Sequence, residues 1–209
     1  MKTKQSGFTL VEIAIVLVIV GLLLGGVLKG QELIFNTRIK STYSMSREFT
    51  AALTGYQDRY KSLPGDDGAA TTRFPAASPA ASNGNSDGLI SVTASWQCPT
   101  GVTADEHCQA NYHLRLSGFL SGAGSEAPKT AFSTPAHIIR GDQLIGGFTS
   151  SPVMGMEPTG LSHKIMSALD TSFDDGNPAT GTVRCQSSLT SYNLSTPDQS
   201  PGVWCLMLM

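Results

Sequence analysis

The run from Phe8 to Leu28 constrains this chain more than any other feature, because within it Glu12 is the one charged side chain and Thr9 the one other polar one. About 20 apolar residues in a helix cross the hydrocarbon core of a bilayer, so the run predicts a single membrane-spanning helix. Lys2 and Lys4 stand on its short flank, and positive charge there predicts a cytoplasmic amino terminus with everything beyond Leu28 outside. All 4 cysteines, Cys98, Cys108, Cys185 and Cys205, fall in that outer part, where an oxidising compartment favours two disulfides. Charged residues make up 14% of the chain and the formal net charge is −2, so no basic field draws it toward nucleic acid. A length of 209 residues leaves room for one globular head and an appendage.

An ordinary signal peptide places small residues after its apolar region, which is then discarded. Here Ser6 and Gly7 precede the run, so a cut between Gly7 and Phe8 removes only a basic leader and keeps the hydrophobic helix. The string Lys4-Gln5-Ser6-Gly7-Phe8-Thr9-Leu10-Val11-Glu12 resembles the prepilin cleavage and methylation motif of type IV pilins and type II secretion pseudopilins. The resemblance implies a leader over 1–7, cleavage by prepilin peptidase between Gly7 and Phe8, and N-methylation of Phe8. It also implies that Glu12 pairs with the amino terminus of a neighbouring subunit during filament assembly. An ionisable group inside an apolar span is costly, which agrees with its being kept for such a partner.

Beyond Leu28 no proline appears until Pro64, and Phe49, Leu53, Tyr56 and Tyr60 recur at helical spacing. One helix over 8–62 is therefore expected, with a membrane half at 8–28 and an amphipathic half resting on a head at 63–209. The fold class expected is α+β, a long amino-terminal helix packed on a small, loop-rich antiparallel β head. Gly21, Gly25, Gly26 and Gly30 permit close helix contact or local unwinding on assembly.

In the head, Leu63 to Ser82 is rich in Ala, Ser, Thr and Pro and reads as an extended surface connection. Asn83-Gly84-Asn85-Ser86-Asp87-Gly88-Leu89-Ile90 is similar to the first half of an EF-hand loop, making Asn83, Asn85 and Asp87 the candidate calcium ligands. Ala94 stands where that loop needs its bidentate glutamate, so a complete EF-hand is not expected, although Asp66 or Asp67 could supply the missing oxygens. An Asx-rich turn capped by its own side chains is the simpler reading, and no other cofactor is expected. Cys98, Cys108, His107 and His113 offer two thiols and two imidazoles, without the paired spacings of a zinc motif. An oxidised Cys98–Cys108 pair fits the compartment better, and many pilins staple the carboxyl-terminal region as Cys185 with Cys205 would. Four cysteines still allow three connectivities. Short helices are expected at Asn111–Leu120 and Leu161–Leu169, a turn-joined pair of strands within His137–Phe148, and a closing strand at Val203–Leu208. Asp170, Asp174 and Asp175 read as the tight turn of Asp-Asp-Gly-Asn-Pro ahead of a cation site. The Asp174-to-Arg184 stretch also resembles the heads of pilin-like proteins.

Phosphate loops, nucleophile elbows and H-E-x-x-H are missing from the sequence, and the 4 histidines lie apart, so the chain is not expected to be an enzyme. The resemblance implies a subunit inserted singly in the bacterial inner membrane, head outside the cytoplasm, and then polymerised with itself or other pilins by inner-membrane assembly machinery. Its destination is an extracellular or periplasmic filament. A pseudopilin of a secretion system, or a tethered adhesin or DNA-binding module at a filament tip, are the alternatives.

Overall fold

The computed structural model describes residues 9–92, 98, 105–124, 126–144, 151–186, 189–199, 202 and 204–208. The chain divides into two units, Met1–Arg38 and Ile39–Met209. Helix α1, Leu10–Tyr60, runs through both. It ends where Lys61 takes a φ of 58°, ahead of Leu63-Pro64, since the residue before a proline is driven out of the helical region. That is two residues short of the expected boundary. From Ile39 onward α1 buries Ile39, Thr42, Ser46, Phe49, Ala52 and Tyr56, a stripe at spacings of three and four. The stripe includes small and polar residues that hydropathy overlooks, while Leu53 and Tyr60 sit at its half-buried margin.

The rest of the larger unit is an α+β head, as the sequence predicts. Its strands are β1 Ala136–Arg140, β2 Pro152–Met156, β3 Val183–Cys185 and β4 Cys205–Leu208. They form one antiparallel sheet of order β1-β2-β4-β3. The closing strand is thus inserted between β2 and β3, and Val203 lies outside the described residues. Ala136 to Ile139 and Val153 to Met156 are buried without alternation, because helix α3 (Glu106–Leu116) covers β1 and both faces of the sheet are occupied. Ile139, Val153 and Leu206 make one core cluster with Val92 and Trp204 packed against it.

Four local expectations are corrected. The region 63–82 is not an extended surface connection: it carries a single helical turn, α2 (Ala70–Arg73), and Ala70 and Ala81 are buried with Tyr112 of α3. Ala70 and Ala81 are core residues of minimal size, which composition alone reads as linker. Within His137–Phe148 the first expected strand is β1, but a helical turn, α4 (Gly141–Leu144), stands where the joining turn was expected; residues 145–148 lie outside the described residues, and β1 pairs with β2, farther on. The helix expected at Asn111–Leu120 is α3, which starts after Asp105, and Leu161–Leu169 is α5 (His163–Phe173), where the Ser162 hydroxyl accepts the Ile165 N–H as an N-cap. In α5 the cap, not the apolar spacing, sets the start.

Polar contacts join α1 to this head. Tyr56, with no exposed surface, donates its hydroxyl to Asp67 Oδ2 at 2.7 Å. Arg73 Nε lies 2.8 Å from the same oxygen. His113, also fully buried, accepts the Gly65 N–H on Nδ1 and donates from Nε2 to the Ser82 carbonyl, each at 3.0 Å. Gly65 has a φ of 89°, and a side chain there would run into the backbone carbonyl of Glu106.

Two stability measurements check this arrangement. Tyr56→Phe leaves a buried carboxylate short of a donor and should cost about 1–3 kcal/mol in chemical denaturation; an unchanged midpoint would show that the bond contributes nothing. Burial pushes the His113 imidazole down from 6.5 to about 4, since a second ring proton would face the Gly65 N–H. Its contribution is complete above pH 6.5 and is lost as pH falls toward 4, on the order of 3 kcal/mol. Burial raises Asp66 and Glu106 above the carboxylate range, which opposes the loss in acid. His113→Gln should flatten the acid limb, and an NMR titration should find the His113 ring neutral at pH 5.

Candidate functional site

Gly7 and Phe8 lie outside the described residues. The first one described, Thr9, caps α1 reciprocally with Glu12: the Thr9 N–H and hydroxyl each reach Glu12 Oε2 at 2.8 Å, and the Glu12 N–H reaches Thr9 Oγ1 at 3.3 Å. This is a capping box, which satisfies orphan donors at a helix start. Every residue from Leu10 to Lys29 is exposed, Leu10 at 91% and Leu22 at 73%. The helix contains an 18-residue window of mean hydropathy 2.8, none of it buried, so by length and composition it can cross a membrane. A continuous apolar surface of this extent demands a cover, whether lipid or protein. Lys29 and Glu32 follow it as an exposed ion pair at 2.7 Å.

The candidate calcium residues do converge, though on other side chains. Asp66 Oδ1 and Oδ2 accept the N–H groups of Asp87 and Gly88 at 3.0 and 2.8 Å. Glu106, at the start of α3, accepts those of Asn85 and Ser91 at 3.1 and 2.9 Å. Asn83 Oδ1 accepts the Thr71 N–H, Asn85 Oδ1 the Asp87 N–H and Asp87 Oδ1 the Leu89 N–H. The loop is wrapped on two carboxylates that the backbone occupies, and a Cβ on Gly84 would collide with the Asp66 backbone. Carboxylate oxygens of Asp66, Asp87 and Glu106 still lie within 4.8 Å of one another, an oxygen-rich set of the kind hard cations take. Ala94 lies outside the described residues. Glu106 was not singled out from the sequence, because nothing local ties it to a loop some twenty residues earlier.

The carboxylates at the end of α5 and just past it are likewise spent on the turn. Asp170 accepts the Gly176 N–H at 2.8 Å and the Tyr192 hydroxyl at 2.6 Å, and burial raises it above the usual carboxylate range. Asp174 accepts the N–H groups of Thr182 and Val183. Asp175 accepts the Thr180 hydroxyl at 2.5 Å, which holds it below the usual range.

Cys98 is joined to Cys108, and Cys185 to Cys205. Cys185 and Cys205 are direct partners across β3 and β4. His113, a candidate metal ligand beside Cys108, is committed to Gly65 and Ser82 instead. The imidazoles near the first disulfide are His107 and His137, the latter from a strand some thirty residues on.

No curated protein and no solved structure matched this chain. Residues 2–28 match the family model described as the prokaryotic N-terminal methylation motif. That motif family is structural and not enzymatic, and it implies processing by prepilin peptidase and assembly with other pilins. The motif, an exposed apolar helix and two disulfides on an α+β head together support a protein of the type IV pilin or pseudopilin type, whose signature residues 2–28 carry.

Proposed function

We propose that this chain is a structural subunit, major or minor, of a type IV pilus-like filament. Prepilin peptidase removes the leader 1–7 between Gly7 and Phe8 and methylates Phe8. Helix α1 holds the chain in the bacterial inner membrane through the run 8–28, with the head at 63–209 outside the cytoplasm. Inner-membrane assembly machinery then passes the subunit into a filament outside the cell or in the periplasm. The carrying observation is the contrast along α1: no residue from Leu10 to Lys29 is covered, while a stripe from Ile39 to Tyr56 is buried. The uncovered run leaves lipid only if neighbouring runs bury it again, and helices can do so because their backbone groups are satisfied internally.

Glu12 fits this exchange of surroundings. Its present partner is the exposed Thr9 of its own helix, which solvent or a neighbour can replace at little cost. Inside an apolar bundle the carboxylate needs a fixed cation, and the α-amino group freed at Phe8 provides one.

Expression with prepilin peptidase should yield a chain whose amino terminus, by mass spectrometry, is methylated Phe8; an uncut chain, or one cut beyond Leu28, would sink the reading. Glu12→Gln should still insert in membranes while its recovery in sheared filaments falls roughly tenfold, the factor carried by about 1.4 kcal/mol of lost pairing. Equal recovery would remove Glu12 from assembly.

A further inference from the structure

The Cys98–Cys108 disulfide is surrounded by more donor atoms than a staple requires. Each sulfur has an imidazole beside it: His137 Nδ1 lies 3.5 Å from Cys98 Sγ and His107 Nε2 lies 3.3 Å from Cys108 Sγ. His107, Cys108 and His137 are at most 1% exposed, and Cys98 is half-buried. His107 and Cys108 come from α3, His137 from β1 and Cys98 from the chain ahead of α3, so the fold itself assembles the group.

A second observation points to a ligand. His137 Nε2 lies 2.8 Å from Glu157 Oε1, just past β2. The Glu157 carboxylate accepts from Nε2, which leaves Nδ1 as the ring nitrogen that faces Cys98. Metal-binding histidines are oriented in this way, their far nitrogen held by an outer carboxylate. In a tetrahedral zinc site with Zn–S near 2.3 Å and Zn–N near 2.0–2.1 Å, sulfur and nitrogen lie about 3.6 Å apart. Both observed sulfur–nitrogen distances are within a few tenths of an ångström of that. The donor atoms of Cys98, His107 and Cys108 lie within 4.8 Å of one another, His137 stands beside Cys98 just outside that set, and the two sulfurs are bonded to each other.

We propose that Cys98, His107, Cys108 and His137 form a redox-gated site for a zinc-type divalent cation, closed by the disulfide and opened by its reduction, with Glu157 as the positioning residue of His137. A dithiol or phosphine reductant delivers two electrons to the sulfur–sulfur bond, which cleaves to two thiols as the reductant is oxidised. The entering cation displaces both thiol protons to solvent and is held by two thiolates and two neutral imidazoles. The loaded site carries no net charge, as a buried site requires.

The test uses the full chain in detergent micelles, reduced anaerobically with a phosphine and titrated with Co²⁺ alone. The expected result is one Co²⁺ per chain, with thiolate-to-cobalt charge transfer and tetrahedral d–d bands that Zn²⁺ abolishes. The oxidised chain should show neither. Cys98→Ser with Cys108→Ser should lose the bands, and Cys185→Ser with Cys205→Ser should keep them. Glu157→Gln should weaken binding by about 10–100-fold. A reduced chain without charge transfer, or bands that survive the loss of Cys98 and Cys108, would overturn the proposal. Should the variants fail to fold, alkylation of the unmodified reduced chain decides: Zn²⁺ should slow modification at Cys98 and Cys108, and an unchanged rate counts against the site.

Discussion

The buried carboxylate of Asp67 is the point on which the head depends. It takes the Tyr56 hydroxyl from α1 on one oxygen, with Arg73 of α2 beside it, and the Ala69 N–H on the other. Its own carbonyl accepts the N–H groups of Ala70 and Gly84. An ionised group with no water must have its lone pairs filled from fixed directions. The last turns of the long helix, the helical turn after it and the start of the Asx loop are therefore tied to one residue. Asp66 next to it organises the remainder of that loop, so two adjacent aspartates set the geometry of some twenty residues without regular structure.

That arrangement explains how a head with few aromatic residues holds together. Two of its apolar clusters gather around Ile139, Val153 and Leu206 and around Ala70, Ala81 and Tyr112. Much of the order comes from side chains that accept backbone N–H groups: Asp66, Glu106, Asp170 and Asp174 replace the ladders that longer strands would provide. The two disulfides and the stack of Tyr43 on Phe173, rings parallel and 3.8 Å apart, add cross-links between distant segments. Burying carboxylates in loops has a consequence for reading function. The acidic groups that looked like cation sites in the sequence are also what the backbone itself needs.

The same logic separates the two ends of α1. From Leu10 to Lys29 every residue is exposed, an apolar surface of the kind that lipid or other helices cover. From Ile39 the helix is an ordinary amphipathic core element. Its buried stripe runs through Thr42, Ser46 and Ala52, where small side chains let the head approach closely.

Much was legible in the sequence, and for local reasons. The apolar run, the small residues ahead of it, Glu12 within it and the proline that closes the helix are contiguous signals whose meaning does not depend on what packs nearby. The α+β class and the closing strand were legible too, since strand and helix periods survive in short segments. The alanine-rich region after the long helix misled, because an alanine has the same composition in a linker and in a core. The turn placed within His137–Phe148 misled because a glycine and an aspartate suit a hairpin turn and a helical turn alike. Only the tertiary structure decided that Glu106 and Asp66 hold the Asx loop, that His113 belongs to Gly65 and Ser82, and that His137 and Glu157 stand beside Cys98. Each joins residues far apart in the chain, and such pairings arise from how the sheet and helices pack, which no local pattern encodes.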